Sequence, residues 1–200
     1  MVQEYFDETE AFKIVLLGED GIGKSSIIEK ICSKEHITSL ENYNIEYGTR
    51  IITTPNIQNF RIKINFYNLI DSDKTNIFKY QDIKNFFYKN ATLIIIVFDL
   101  TATNYVETIT KWISEIEKHR RILDHGFKIL CMGTKADLRP SDFRTRYSEL
   151  LGIEIANLSK KFKQDIYYYE VSAQDCNSCN NLIQQIGVFA ESHYQDQLYS

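Results

Sequence analysis

The sequence predicts a single α/β domain, with a mostly parallel sheet of about six strands and helices on both faces. Short apolar runs alternate along the chain with segments that carry apolar residues at helical spacing, which is typical of repeated strand–helix–strand units. A glycine-rich turn joins the first apolar run to the first helical segment. The 200 residues include only two prolines and eight glycines, and no low-complexity linker divides them into two domains.

Six segments are predicted to be strands from their apolar content. The run from Leu93 to Phe98 is the most hydrophobic of them and should form a central strand. Residues 45–53 and 60–67 should form a hairpin through residues 54–56, and apolar residues alternate with polar ones in its second strand, as in a half-buried strand near a sheet edge. The other predicted strands are Phe12–Leu17, Phe127–Met132 and Tyr167–Val171.

Four segments are predicted to be helices. The clearest is Asn104–Arg121, in which Val106, Ile109, Ile113 and Ile116 lie at spacings that place them on one helix face. Their stripe indicates an amphipathic helix packed against the sheet. The other predicted helices are Ser25–Ser33, Ile153–Phe162 and Asn181–His193.

The net charge and the residues near both ends bear on the partners and location that we expect. A net charge of −4 gives no electrostatic reason to expect nucleic acid as a partner. The acidic start lacks the basic-then-apolar order of a signal peptide, and the last residues show no cysteine or polybasic run that would indicate a lipid anchor. We expect either a cytoplasmic protein, with partners as its route to membranes, or a part of a longer chain. Within the 200 residues we expect an extension at residues 1–10, the domain at 11–192 and a tail at 193–200.

The segment from Gly18 to Ser25, GEDGIGKS, matches the phosphate-binding pattern G-x-x-x-x-G-K-[ST]. It stands between a predicted strand and a predicted helix, as this loop requires. Glycines let the backbone wrap closely around phosphate oxygens, and the helix adds the positive end of its dipole. The Lys24 ammonium would reach the outer phosphates and the Ser25 hydroxyl would ligate Mg²⁺. This predicts the P-loop NTPase fold, with phosphate contacts from Asp20, Gly21, Ile22, Gly23, Lys24, Ser25 and Ser26.

A second motif, Thr134-Lys135-Ala136-Asp137, directly follows a predicted strand. Here the chain resembles a small GTPase of the Ras superfamily, in which [NT]-K-x-D follows the fifth strand, and threonine in first place is also found in the Rho branch. The resemblance implies that the Asp137 carboxylate accepts hydrogen bonds from the ring N–H and exocyclic amine of guanine, which adenine cannot supply. It also implies that Lys135 packs along the ring, and that Thr134 and Leu138 belong to the same site.

A third motif, from Glu170 to Gln174, reads EVSAQ and resembles the E-x-S-A-K element of the same superfamily, with glutamine in place of lysine. The resemblance adds Ser172, Ala173 and Gln174 to the base site. It covers roughly residues 10–190 and is greatest for the Rab branch. It implies GTP and GDP as ligands together with Mg²⁺, protein effectors or exchange factors at the switch surfaces, and a role in signalling or vesicle trafficking.

The segment that should form switch I departs from the family pattern. Residues Glu41 to Tyr47 read ENYNIEY and contain no threonine, although the family places a threonine here that closes over Mg²⁺ and the γ-phosphate. Asn42 or Tyr43 would take its place, and the side-chain carbonyl of Asn42 would be a weak metal ligand. We therefore expect impaired closure of this switch.

The D-x-x-G-Q motif of switch II is also altered. Aligning residues 63–67 with the family's third strand puts Asn68 at the metal-holding aspartate, Asp71 at the glycine and Ser72 at the glutamine that orients the attacking water. Loss of the carboxylate weakens the hold on Mg²⁺, and loss of the glutamine removes much of the catalysis of phosphoryl transfer. Asn68 and Asn42 are alternative metal ligands, and no residue is assigned to catalysis. We expect slow or absent GTP hydrolysis; the alternative is a pseudo-GTPase that serves as an interaction scaffold, with or without nucleotide.

Two further features leave alternatives open. Asp20 stands at a loop position where relatives hold glycine or serine, so its carboxylate either crowds the γ-phosphate or turns outward to solvent. Trp112, Phe86 and Phe87 form either a partner-binding patch or part of the core.

Overall fold

The computed structural model describes residues 12–32, 36–40, 45–54, 56, 61–69, 86–121, 123, 126–139 and 144–198. Seven strands of this part of the chain form one sheet. They are β1 (Phe12–Leu17), β2 (Ile37–Leu40), β3 (Ile45–Thr53), β4 (Arg61–Leu69), β5 (Leu93–Asp99), β6 (Lys128–Thr134) and β7 (Ile166–Glu170).

The order of the strands across the sheet is β2-β3-β4-β1-β5-β6-β7. β1 pairs in parallel with β4 and β5, and β6 pairs in parallel with β5 and β7. β3 is antiparallel to both β2 and β4. The prediction of an α/β domain with a mostly parallel sheet is therefore confirmed, as is the hairpin of β3 and β4, but β2 and β3 form a second antiparallel pair that was not predicted. The most apolar strand, β5, lies inside the sheet.

β2 is the strand that the sequence analysis missed, so the sheet has seven strands where about six were expected. It has four residues, ITSL, and lies at the edge of the sheet beside β3. Thr38 and Ser39 are both exposed, so the segment lacks the apolar alternation that marks a half-buried strand. Because β2 and β3 lie outside it, β4 is third from the edge, although its buried apolar residues alternate with exposed ones as predicted.

Four helices of eight residues or more occur in the described part of the chain. They are α1 (Lys24–Ile31), α2 (Tyr105–Lys118), α3 (Arg144–Phe162) and α4 (Cys176–Leu198). Ala136–Leu138 forms one 3₁₀ turn, and residues 86–88 are also helical. None of the helices described is long and apolar enough to cross a membrane.

α3 and α4 begin earlier than predicted, at Arg144 and Cys176 rather than at residues 153 and 181. In the early turns of α3, Tyr147 and Leu150 remain 50% and 49% exposed, so no apolar stripe marks that part of the helix. The first turn of α4 is equally polar. It begins after Asp175, whose carboxylate accepts a hydrogen bond from the backbone N–H of Asn177 at 2.9 Å, as an N-terminal cap does.

The core is divided by the sheet into two apolar layers. On one face the buried residues of α1 and α4 pack against the sheet, among them Ile28 and Leu182. On the other face the buried residues of α2 and α3 pack, among them Ile113 and Leu151. Helices therefore cover both faces, as predicted, and the carboxyl ends of the parallel strands are left for the loops that form the site.

The structure distinguishes the core from the partner-binding patch as places for Trp112, Phe86 and Phe87. Trp112 is 6% exposed and Phe87 is 1% exposed, so both belong to the core rather than to a partner-binding patch. Phe86, in contrast, is 53% exposed. Of the three aromatic residues, Phe86 alone presents its ring to solvent.

Candidate functional site

The predicted motifs meet at the carboxyl ends of β1, β5, β6 and β7. Ligands bind at this edge in open α/β sheets because the loops that follow neighbouring parallel strands converge there. The backbone N–H of Leu100, after β5, donates to Thr134 O at 3.1 Å, and that of Ala136, after β6, donates to Val171 O at 3.3 Å. The loops that carry the separate motifs are thus in direct contact.

The glycine-rich loop between β1 and α1 depends on backbone conformations that other residues rarely adopt. Gly21 has φ 74° and Gly23 has φ 98°, values in the left-handed region that favours glycine. Gly23 is also the residue that precedes the first turn of α1. At Gly18 the limit is space, because a Cβ atom would lie 2.6 Å from Val97 O and 2.5 Å from Ile22 Cδ1.

Gly18→Ala is expected to destabilise the fold because its new methyl group meets the backbone of β5, which cannot move aside. Overpacking of this kind costs about 1–3 kcal/mol, and the loop should shift with it. Gly152→Ala is the matched control, since nothing lies within 4 Å of a Cβ atom at this helical position; alanine there should stabilise by about 0.5–1 kcal/mol. Urea unfolding measures both. Equal stability of the two variants would contradict the close approach at Gly18.

Lys24 is the loop residue whose charge is most enclosed. Its side chain is 5% exposed, and its Nζ donates to Gly18 O at 2.9 Å and to Glu19 O at 2.5 Å. The ammonium group therefore lies across the mouth of the loop, held by the loop's own carbonyl groups. Asp20 and Ser26, by comparison, are exposed.

Thr134 connects the second motif to the glycine-rich loop. It is 2% exposed, and its hydroxyl oxygen lies 2.6 Å from Ile22 O and 3.1 Å from Phe98 O. The hydroxyl group has one proton to donate, and the shorter distance assigns it to the Ile22 carbonyl of the loop. The contact fixes the distance between the loop and the segment that carries Asp137.

Lys135 is oriented by an aspartate that the sequence analysis missed. Its backbone has φ 59°, and its Nζ lies 2.6 Å from Asp99 Oδ2 at the end of β5. The other oxygen, Asp99 Oδ1, accepts from Thr101 N at 2.8 Å and Thr101 Oγ1 at 2.6 Å. Partial burial alone would raise the pKa of Asp99, but the hydrogen bonds from Lys135 and Thr101 outweigh it, and the pKa lies below its usual range.

Asp137 is positioned by the third motif. The Ser172 hydroxyl donates to Asp137 Oδ1 at 2.5 Å, and the same hydroxyl oxygen accepts from Gln174 N at 3.1 Å. Ser172 is 3% exposed, whereas Asp137 is exposed. A buried serine thus holds an exposed carboxylate in place, with Ala173 beside it and Leu138 63% exposed on the next turn.

Glu170, the first residue of the third motif, is hydrogen-bonded to three neighbouring side chains. Its Oε1 accepts from Arg139 Nη1 at 2.9 Å and from Ser148 Oγ at 2.6 Å, and the Tyr168 hydroxyl donates to the same oxygen. Burial and the hydrogen bond to Glu170 raise the pKa of Tyr168. These hydrogen bonds connect the end of β7 to α3 and to the segment after Asp137.

A polar cluster lies beside the start of α1. Asn68, at the end of β4, donates through Nδ2 to Ser25 Oγ at 3.1 Å and to Glu46 Oε2 at 2.9 Å. The sequence alignment put Asn68 at the metal-holding aspartate, and the structure places its amide beside the loop serine; a role for Asn68 toward a metal stays a prediction. Glu46 was missed, although the alternation along β3 puts it on the same face as buried Ile52. Asn42, Tyr43, Asp71 and Ser72 lie outside the described residues.

Known proteins resemble this chain over most of its length. Residues 13–190 match the model of the Ras family. Ras-related protein RABA1c of Arabidopsis thaliana is 24% identical over 178 residues, 88% of this chain and 73% of the relative. Ras-related protein Rab11E of Lotus japonicus is 25% identical over 178 residues, 88% of this chain and 72% of the relative. GTP-binding protein ypt3 of Schizosaccharomyces pombe is 28% identical over 128 residues, 64% of this chain and 55% of the relative.

Proposed function

This chain belongs to the Ras family and is a Rab-like small GTPase, and we propose that it is a nucleotide switch that binds GTP or GDP with Mg²⁺ and hydrolyses GTP slowly. The observation that carries the proposal is the Thr134 hydroxyl, 2.6 Å from Ile22 O. This contact joins the loop suited to phosphates to the segment suited to guanine. A ligand that reaches both is a purine nucleotide with two or three phosphates.

The phosphates would lie in the loop between β1 and α1. Successive backbone N–H groups in a loop of this shape point at anions, and the N-terminus of α1 adds its partial positive charge. Lys24 would exchange its two carbonyl contacts for phosphate oxygens. The proposed phosphate contacts are Asp20, Gly21, Ile22, Gly23, Lys24, Ser25 and Ser26, with the carboxylate of Asp20, an exposed residue, directed to solvent.

The base would lie against the loops after β6 and β7. The Asp137 carboxylate, already oriented by Ser172, would accept from the ring N–H and the amine of guanine. Lys135, anchored by Asp99, would lay its aliphatic stem along the ring. The proposed base contacts are Thr134, Lys135, Asp137, Leu138, Ser172, Ala173 and Gln174.

The residues beside the loop fit a magnesium ion. Mg²⁺ prefers oxygen ligands and is commonly held by one or two protein groups together with phosphate oxygens. Ser25 offers a hydroxyl oxygen next to Asn68, which is fully buried and whose Oδ1 has no hydrogen-bond partner among the described residues. We propose Ser25 as the ligand and Asn68 as its neighbour. The ion, when bound, supplies positive charge to the outer phosphates.

Hydrolysis of GTP is expected to be slower than in an intact member of the family, because an amide replaces the carboxylate at Asn68 and serine replaces glutamine at position 72. Ras itself turns over at about 4 × 10⁻⁴ s⁻¹ unaided, so we expect a rate below about 10⁻⁴ s⁻¹ here. Single-turnover hydrolysis of radiolabelled GTP, with GDP and GTP affinities measured with and without Mg²⁺, tests the proposal. Ser25→Ala is the control, because residual turnover by this site should need Ser25.

The pseudo-GTPase alternative gives a different set of results. A scaffold that holds nucleotide as a structural element would bind GDP and GTP equally and show no turnover above the Ser25→Ala background. A preference for adenine nucleotides would reject both the switch and the scaffold.

We propose that effectors or exchange factors bind on the aromatic surface formed by the partly buried Tyr47 and Tyr67 and the exposed Phe86. The ring centroids of Tyr47 and Tyr67 lie 5.0 Å apart, and those of Tyr67 and Phe86 lie 6.1 Å apart. The Nζ of Lys13 lies 4.8 Å from the centroid of the Tyr67 ring and donates to Phe86 O at 2.7 Å, which fixes the set. Vesicle trafficking in the cytoplasm, with recruitment to membranes through such partners, is the role that the Rab-like relationship supports.

A further inference from the structure

Three side chains from three different elements form one cluster beside the loop. The Nδ2 atom of Asn68 lies 3.1 Å from Ser25 Oγ and 2.9 Å from Glu46 Oε2. Both oxygens are thus bound to a single nitrogen atom. Asn68 is fully buried and Glu46 is 8% exposed, so a carboxylate is enclosed close to the serine that the proposed function assigns to Mg²⁺.

We infer that Glu46 supplies from β3 the negative charge toward Mg²⁺ that Asn68 on β4 lacks. This inference rests on the proposed function. The carboxylate that the family holds on the strand equivalent to β4 would thus be replaced by one on β3. Asn68 then serves as an uncharged side chain that donates hydrogen bonds to both Glu46 and Ser25.

The pairing of the strands explains how a residue of β3 reaches the site. Glu46 is directly opposite Asn68 in the antiparallel pair of β3 and β4, and directly opposite residues in such a pair have side chains close together on one face. Two residues along β3, a Cβ atom at Gly48 would lie 2.9 Å from Ile28 Cγ2 of α1. The absence of a side chain at Gly48 therefore lets β3 approach the helix that begins with Lys24 and Ser25.

The cost of burying Glu46 points to a cation. A buried carboxylate is unfavourable unless it is paired or well hydrogen-bonded, and a carboxylate can accept about four hydrogen bonds. Among the described residues, the amide of Asn68 is the one group that donates a hydrogen bond to Glu46. A divalent ion bound beside Ser25 would compensate the charge that a single amide does not.

The Asn68 amide presents its nitrogen to Glu46 and to Ser25. With Nδ2 toward Glu46 and Ser25, Oδ1 is left without a hydrogen-bond partner among the described residues. The reverse orientation would place Oδ1 against the Glu46 carboxylate, two acceptors in contact. The donor end of the amide therefore meets the oxygens of both Glu46 and Ser25.

Glu46→Gln separates the charge of this residue from its shape, because glutamine keeps a side-chain oxygen that can accept from Asn68. The experiment measures release of N-methylanthraniloyl-GDP from the full chain over a range of Mg²⁺ concentrations. In the natural protein Mg²⁺ should slow release. E46Q should need about 10–100-fold more Mg²⁺ for the same effect, the size of change typical for loss of a supporting group at a metal site.

Two further variants complete the test. E149Q removes the same charge from an exposed position on α3 and should leave the Mg²⁺ dependence unchanged. E46Q/N68D returns a carboxylate to β4 and should restore the natural Mg²⁺ dependence to within about threefold. Thermal unfolding of each variant shows whether it is folded. If E46Q alone does not fold, the Mg²⁺ dependence of the double variant tests the inference.

The outcomes distinguish this inference from the proposed function. If the natural protein binds no guanine nucleotide, the proposed function fails. If it binds nucleotide and E46Q shows the same Mg²⁺ dependence, or Mg²⁺ has no effect on release from the natural protein, the inference is overturned while guanine binding stands. A double variant that needs as much Mg²⁺ as E46Q, or more, would also overturn it, because returning the carboxylate to β4 would then fail to restore the hold on the ion.

Discussion

Asp137→Ala is expected to remove the preference for guanine over adenine nucleotides. The Ser172 hydroxyl donates to Asp137 Oδ1 at 2.5 Å, which orients the carboxylate before any ligand arrives. A site built to pair the donors of its ligand rejects an analogue that lacks them by about 10⁴–10⁵. Without the carboxylate the remaining contacts discriminate weakly, so the ratio of GDP to ADP affinity should fall to about ten or less.

Competition of GDP and ADP for the labelled nucleotide measures this ratio. Asp165→Ala is the matched control, because Asp165 is an exposed aspartate that precedes β7, at the opposite end of the strand from Ser172. Its removal changes the net charge equally and should leave the ratio as in the natural protein. An unchanged ratio in a folded Asp137→Ala variant would show that another group chooses the base.

Lys24→Ala is expected to weaken binding of GDP and GTP by roughly 10²–10⁴-fold. Hydrogen bonds to charged groups contribute about 1.5–3 kcal/mol each, and two lost contacts to phosphate oxygens correspond to that change in affinity. The loop itself should also become less ordered, because Nζ holds the carbonyl groups of Gly18 and Glu19.

Lys30→Ala provides the comparison for Lys24. Lys30 lies in the last turn of the same helix and is exposed, so its removal should leave affinity unchanged. Titration of both variants with the labelled nucleotide, and their circular dichroism, separates loss of binding from loss of fold. A Lys24→Ala variant that binds within about threefold of the natural protein would contradict the assignment of the loop, since one charged hydrogen bond alone is worth more.

The strands that face the core on both sides could be predicted from the sequence because their composition is set by burial. β5 is buried along nearly its whole length. A short, continuous apolar run of this kind is typical of a strand buried on both faces. The hairpin was equally clear, since β4 alternates between the core and solvent. The phosphate loop was predicted for another reason, the match of residues 18–25 to a known pattern. Two of its glycines, Gly21 and Gly23, have φ values that other residues rarely adopt.

The residues that were missed act through contacts that no local pattern reveals. Glu46 and Asp99 interact with residues distant in the chain, Asn68 and Lys135. The sequence held one weak indication of a functional role for each of these two residues. Asp99 ends an otherwise apolar strand at the edge where ligands bind, and Glu46 falls on the buried face of β3. The early start of α3 was hidden because Tyr147, Glu149 and Leu150 are exposed and Gly152 interrupts the helical pattern.

The structure brings together the motif residues of the predicted base and phosphate sites, although they are spread from Gly18 to Gln174. Thr134 joins the first two groups and Ser172 joins the last two. The sequence could identify each group because each follows a strand whose end lies at the same edge of the sheet. It could not supply the distances, which depend on the packing of separate strands.

Mass spectrometry of the nucleotide that the protein carries through gentle purification is the decisive measurement of guanine-nucleotide binding. The loop from Gly18 to Ser25 and the carboxylate of Asp137 together should retain a guanine nucleotide, so mass spectrometry of the denatured protein should find GDP or GTP at close to one per chain. An adenine nucleotide in its place would contradict the account, as would a protein that carries no nucleotide and fails to bind added GDP.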